Sequence, residues 1–430
     1  MPTVTVVVVG AGPAGLAVSH ELTARGVDHV VLDRGRTAES WRSRRWDSLR
    51  LLSPAWATRL PGLPPAPDPD AFLTAGELVD VLDRYAADAA APVVEHADVL
   101  SVRRCDDRYR VVSTAGSWTA SAVVLATGDA VVPAVPATGR HLPRDVHQLA
   151  PDAYRRPSQL PDGGVLVVGA SASGVQLADE LAASGREVVL AVGRHTRMVR
   201  TYRGMDVYWW MQRLGSLDRS IDSAPDRAAA LSEPSLQLAG HGPSARRPRD
   251  LSLPALAARG VRLTGRVTGA SEGRVFLADD LLHTTAAADA RFVRFLQRVD
   301  RHVRRTGLQG VVLDAGPTPA RLASTASPIE LSLAGSGIRT VLWATGYRRS
   351  HPWLHVPVLE RGGDVVHRHG VTASPGLYVV GWRWQTRRSS SFLAGMGEDA
   401  TSVVTDLVRR LDRHRPQQQV VHPSRQERTS

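Results

Sequence analysis

The chain has 430 residues and a formal net charge of +11, with 53 basic side chains against 42 acidic ones. No lysine occurs, so all 53 are arginine, and neither a lysine base nor a lysine Schiff base can take part in any chemistry. A single cysteine, Cys105, excludes an internal disulfide and a C-x-x-C redox pair. The arginines are scattered along the whole chain, which reads as compositional bias and not as a nucleic-acid surface. No apolar run is long enough to span a bilayer. The first strand begins close to Met1 with no charged leader before it, which predicts a cytoplasmic protein.

Val4 to Val9 is a run of β-branched residues of the kind buried on both faces of a parallel sheet. It leads into G-x-G-x-x-G at Gly10, Gly12 and Gly15, then a helix over Leu16–Arg25 and a second strand, His29–Leu32, ending at Asp33. The first glycine permits the tight turn, the second lets a pyrophosphate approach the backbone, and the third lets helix pack on strand. Helix N–H groups face the phosphates, and the acid at the end of the second strand accepts the ribose hydroxyls. This stretch therefore predicts a dinucleotide site. The following polar segment sets Trp41, Trp46 and Trp56 among arginines, and reads either as a cofactor-lining loop or as a loop pinned by tryptophans.

A proline-rich connector precedes a helix over Thr74–Tyr85 and a small meander over Val93–Thr114, in which Cys105 reads as a packing residue. The buried strand Ala122–Ala126 then runs into Thr127 and Gly128. Gly163 to Val192 repeats the opening pattern with G-x-S-x-x-G at Gly169, Ser171 and Gly174; Ser173 stands where a hydrolase elbow would need glycine. Its second strand ends not in an acid but in Gly193, Arg194, His195, Thr196 and Arg197. Arginines there suit a 2′-phosphate, so the second site reads as one for NADPH in preference to NADH.

Tyr202, Tyr208, Trp209 and Trp210 read as an aromatic stripe on one helix, more a packing feature than a substrate wall. A loop over Ser235–Arg249, strands over Val261–Val267 and Arg274–Leu277, and an arginine-studded helix over Ala287–Arg305 follow. A second A-T-G stands at Ala344–Gly346, and a strand over Leu377–Val380 leads to Gly381 and a helix starting near Gly395–Asp399. Residues 413–430 are polar and predict a disordered tail. His367 and His369 could share one strand face, but two histidines make an incomplete metal site.

Two glycine turns in separate βαβ units, two A-T-G strands and a C-terminal strand–glycine–helix resemble the two-dinucleotide flavoproteins. Within them the chain is similar to the flavin-containing monooxygenases and their bacterial relatives from Val4 to about Leu411. The resemblance implies an α/β fold of two Rossmann-like domains, the NADPH domain inserted in the FAD domain. It implies FAD-binding parts at 1–155 and 330–412 and an NADPH-binding part at 156–329, with a helical insertion at about 201–250. It assigns Gly10, Gly12, Ala14, Gly15, Asp33, Arg34, Trp41, Arg42, Trp46, Gly128 and Gly381 to FAD. Gly169, Ser171, Ser173, Gly174, Arg194 and Arg197 fall to NADPH.

The activity so implied is oxygenation of a small organic molecule by O₂ through a peroxyflavin, with the substrate where the domains meet. No catalytic side chain is assigned, because the cofactor carries the chemistry. One segment departs from the family. Its fingerprint F-x-G-x-x-x-H-x-x-x-Y/W has Arg144, Val146 and Ala150 at the Phe, Gly and His positions here, and only Tyr154 is kept. That leaves two alternatives, an NAD(P)H-dependent flavin oxidoreductase that inserts no oxygen and a non-catalytic flavin-binding module.

Overall fold

The computed structural model describes residues 2–129, 131–242, 250–317, 319–323 and 327–413. The expected disordered tail and the end of the Ser235–Arg249 loop lie outside them, although the last helix, Met396–Arg413, reaches the first residue of that tail.

Two parallel sheets carry the fold. In the first, the opening strand Thr3–Val9 lies between His29–Leu32 and Gly116–Leu125, parallel to both, with Val9 opposite Leu32 and Leu125. Leu377–Val379, from the far end of the chain, adds parallel to the C-terminal half of Gly116–Leu125, and Val99–Cys105 and Arg108–Ser113 extend the sheet as an antiparallel meander. The second sheet runs Arg262–Thr264, Val188–Ala191, Gly164–Val168, Ile338–Trp343 and His147–Leu149 in spatial order, all parallel. Its central strands are apolar along their whole length because both faces are covered. It takes strands from outside the expected 156–329 span at both ends. The reason is pairing: Ile338–Trp343 bears the second A-T-G and must lie beside Gly164–Val168, as Gly116–Leu125 lies beside Thr3–Val9.

The two units repeat one contact set. Gly10 and Gly169 have φ of 108° and 106°, and a Cβ there would lie 2.6 Å from the Ala126 oxygen and 2.5 Å from the Ala344 oxygen. A Cβ at Gly15 would overlap the carbonyl oxygen of Gly10, and one at Gly174 that of Gly169. Both helices, Pro13–Ala24 and Ala172–Ala183, therefore start in backbone contact with the strand before them.

Elsewhere the elements follow local chemistry. The helix Ala75–Asp88 begins at a capping box in which Thr74 and Glu77 satisfy each other's backbone N–H. The arginine-rich helix starts at Leu281, six residues before the expected Ala287, and ends at Gly307 in the left-handed conformation. The aromatic stripe is not one helix. Arg203 and Gly204, at φ 51° and 77°, turn a two-strand hairpin of Thr201–Tyr202 and Met205–Asp206, and the helix spans only Val207–Arg213. Cys105 is exposed at the end of its strand, which corrects the packing expectation. Among the described residues no helix is long and apolar enough to cross a membrane.

Gly12 has open space where a Cβ would go. Gly12→Ala is thus expected to cost at most about 1 kcal/mol, the loss of a good N-cap residue, whereas Gly15→Ala should cost about 3 kcal/mol or more through overlap with the Gly10 backbone. Urea unfolding of the two variants measures the difference; equal stabilities would refute the contact argument.

Candidate functional site

The C-terminal ends of the first sheet open into a cavity of about 1080 Å³. Gly10, Gly12, Ala14, Asp33, Arg34, Trp41, Gly128 and Gly381 all line it. Pro13 occupies the first helical turn, where its missing N–H costs nothing. No side chain caps this helix, so the N–H groups of its first turn and its dipole are available to an anion in the cavity. Gly381, at φ 80°, brings the last strand so close to the helix that a Cβ would lie 2.5 Å from the Cβ of Ala14. Asp33 accepts the Ala11 N–H at 2.7 Å and the Gly35 N–H at 2.9 Å, which fixes its carboxylate at the cavity edge. Burial nevertheless raises its pKa above the ordinary carboxylate value, the two N–H donors opposing it.

Gly15 makes the helix–strand packing contact expected of it, and two residues expected beside the flavin, Arg42 and Trp46, lie off the cavity lining. Arg42 pairs with Asp83 and donates to the Thr37 oxygen at 2.8 Å, away from the cavity lining. Trp46 is buried with Leu149 and Tyr154 in the core of the second sheet and pins the tryptophan loop across the two units. Asp47 N–H to the Arg155 oxygen, at 2.9 Å, ties the same loop down. Within that loop Trp41 lines the cavity and Trp46 lies in the core.

The cavity also collects charged residues not singled out in the sequence. Asp129, directly after Gly128, accepts from Arg349 and from the Arg383 N–H at 2.8 Å. Burial raises the pKa of Asp129, against the Arg349 charge. Arg349 also holds Asp364 at 2.8 Å and lies over the Trp382 ring at 4.5 Å. Arg45 lies 4.7 Å over Trp41, and burial pushes its pKa down. Tyr347, after the second A-T-G, is pushed up to about 12 by burial, so its hydroxyl keeps its proton. The one signal for these positions is adjacency to the A-T-G and Gly381 turns. Tyr208, Met211, Leu236 and Phe392 form an apolar wall. Tyr208 thus lines the cavity while Trp210 is buried and donates to the Tyr202 oxygen at 2.7 Å, so the aromatic residues divide between the two roles.

The second glycine turn has the same geometry as the first, with Ser171 as an N-cap that makes no side-chain cap bond. Gly169, Ser171, Ser173 and Gly174 lie outside the large cavity, and residues 232–237 connect them to it. Gln237 donates to the Ala170 oxygen at 2.7 Å, Thr196 to the Pro234 oxygen at 3.1 Å, and Arg194 to the Ser232 oxygen at 2.7 Å. On the other side Glu233 pairs with Arg388 at 2.6 Å. Arg194 is exposed, but Arg197 is buried, paired with Asp289, bonded to the Ala320 oxygen and stacked on Phe292. That corrects the expectation for Arg197, which is a core cation already paired with a carboxylate. The histidine pair is not joined either: His367 Nδ1 accepts the Gly370 N–H at 3.3 Å, and His369 faces Asp222 at 2.8 Å. Among the described residues no group of three or more metal-ligating side chains comes together.

Two such turns on parallel sheets give the fold of the two-dinucleotide-binding flavoproteins. The pyridine nucleotide-disulphide oxidoreductase family matches residues 7–219. A CzcO-like oxidoreductase of Geobacillus kaustophilus is 29% identical over 408 residues, covering 94% of this chain and 98% of that one. The indole-3-pyruvate monooxygenase YUCCA4 of Oryza sativa subsp. japonica is 34% identical over 197 residues, 41% of this chain and 44% of the relative. A mutant flavin monooxygenase from Stenotrophomonas maltophilia has the same fold, with a TM-score of 0.63 at 20% identity over 95% of this chain and 99% of that one. The chain is thus similar to CzcO-like oxidoreductases along nearly all of its length and to the pyridine nucleotide-disulphide oxidoreductase family over its first part, and it is a flavin-dependent enzyme. The cofactors of this family are FAD and NADPH.

Two predictions arise here. Arg197→Ala leaves Asp289 buried and unpaired and is expected to cost about 3 kcal/mol or more, while Arg194→Ala should leave the melting temperature unchanged within about 2 °C. Burial, with the Arg349 charge next, pushes His367 from 6.5 down to about 4. Between those values the unfolded chain binds a proton that the folded one refuses, so this contribution is complete above pH 6.5 and is lost as pH falls toward 4. His367→Gln should flatten that part of a curve of melting temperature against pH; an unchanged slope would count against it.

Proposed function

We propose that the chain is a cytoplasmic, FAD-dependent, NADPH-consuming monooxygenase that places one oxygen atom of O₂ on a small organic molecule. The observation that carries this reading is the duplicated turn, with both helices starting on a glycine backbone contact and only the first opening on the large cavity. The residues fit a flavin dinucleotide. Gly10, Gly12 and Ala14 would hold the pyrophosphate at the helix start, Asp33 and Arg34 the adenosine ribose, and Trp41, Gly128 and Gly381 the remainder. Gly169, Ser171, Ser173, Gly174 and Arg194 would hold NADPH.

FAD, when bound, supplies hydride acceptance from NADPH and the activation of O₂. The chain's own residues position and shield. Tyr208, Met211 and Phe392 exclude water from the apolar wall and suit an organic substrate. Tyr347 holds its proton at Oη at neutral pH and can donate a hydrogen bond there. Asp129 keeps Arg349 and the Arg383 backbone in place at the cavity side.

The alternative, a flavin oxidoreductase that inserts no oxygen, is favoured by one segment. Val146 and Ala150, at the Gly and His positions of the family fingerprint, are buried and apolar. Tyr154 is fully buried and bonded to Glu180 at 3.1 Å, a structural role independent of oxygen chemistry.

Stopped-flow absorbance separates the readings. The flavin of the purified protein is reduced with NADPH without air and then mixed with oxygenated buffer. A transient absorbance distinct from reduced and oxidised flavin is expected; direct reoxidation without it, even with NADP⁺ present, would favour the oxidoreductase. A bound flavin that NADPH cannot reduce would sink both.

A further inference from the structure

We infer that Arg291, on the long helix Leu281–Thr306, is a second guanidinium for the 2′-phosphate of NADPH, standing beside Arg194. The inference rests on the NADPH reading above and adds to it a residue remote in sequence. In a βαβ dinucleotide unit, the loop after the second strand meets the 2′ position of the adenosine ribose. Here that loop starts at Gly193 and Arg194, following the strand Val188–Ala191. Arg291 reaches it from the helix, and its Nη2 donates to the His195 oxygen at 2.9 Å, one residue beyond Arg194.

The arginines around this loop fall into two kinds. Arg197 is paired with Asp289, Arg200 with Asp206 and Arg203 with Asp300. Arg194 and Arg291 are exposed and hold only backbone oxygens, those of Ser232 and His195, and among the described residues neither pairs with a carboxylate. Glu233, the nearby acid, has both oxygens on Arg388, at 2.6 and 3.0 Å. Burial pushes the Arg291 pKa down, and the Arg294 and Arg194 charges push it further. Two cations anchored on one short loop repel each other, and a dianion between them turns that repulsion into charge-assisted hydrogen bonds. Guanidinium suits this role because its N–H groups match phosphate oxygens in pairs.

Arg301 provides the control. It is exposed on the same helix, ten positions on and about 15 Å along the axis, so it shares the general field but not the contact. The probes are 2′,5′-ADP and 5′-AMP, titrated calorimetrically into the flavin-loaded full-length protein. Arg291→Ala should weaken 2′,5′-ADP binding about tenfold or more and leave 5′-AMP unchanged. Arg291→Lys should recover part of the loss, and Arg301→Ala should alter neither ligand.

Equal weakening of both ligands by Arg291→Ala would mean that Arg291 only props the loop, and no change in either would mean no contact; each overturns the inference. If Arg194→Ala is selective for 2′,5′-ADP while Arg291→Ala is silent, the NADPH reading stands and the inference fails alone. If the unmodified protein does not prefer 2′,5′-ADP to 5′-AMP, the NADPH reading fails and takes the inference with it.

Discussion

The fold depends on two missing methyl groups. At Gly15 and Gly174 a helix passes so close to the carbonyl oxygen of the turn's first glycine, Gly10 or Gly169, that no Cβ can be present. This contact sets the helix against its strand and brings its N-terminus to the end of the sheet, where it can meet a phosphate. It also sets the third layer of the turn, because the A-T-G strand presents Ala126 or Ala344 within 3.4 Å of the same positions. Strand, turn, helix and A-T-G strand thus form one packed unit, made twice, and the rest of the chain is arranged to place the two units together.

Where an element's shape lies in its own backbone, local spacing was enough to find it. Gly10, Gly12, Gly15 and Asp33 carry their spacing with them, and so do Gly169, Ser171 and Gly174, because three glycine-type positions and a strand-ending residue are set by local geometry. Where a side chain's role depends on what lies opposite, local pattern could not decide. Trp41 and Trp46 sit in the same polar stretch, yet one lines the cavity and the other fills the second core. Arg194 and Arg197 are three residues apart, and only the carboxylate of Asp289, nearly a hundred residues downstream, separates an exposed cation from a buried one. The Asp129–Arg349–Arg383 group joins three distant turns and has no pattern of its own. The hairpin at Thr201–Asp206 was hidden by its aromatic residues, whose spacing resembles a helix until the Arg-Gly turn is weighed.

Residues 232–237 join what the two sheets keep apart. One short segment is bonded to the second glycine turn through Gln237, to the loop at Arg194–Thr196 through Ser232 and Pro234, and to the cavity wall through Glu233 and Arg388. The tryptophan loop makes the opposite crossing, from the first unit into the core of the second. The two crossings tie the units together beside the cavity.

The cations that line the cavity are all guanidinium groups, since the chain has no lysine. A guanidinium keeps its proton throughout the range in which an ammonium would lose it. Raising the pH through the lysine range therefore cannot strip this positive charge by deprotonating an ammonium group. Nor can acylating reagents that capture side-chain amines remove it, because the protein offers them no ε-amino group anywhere along its length.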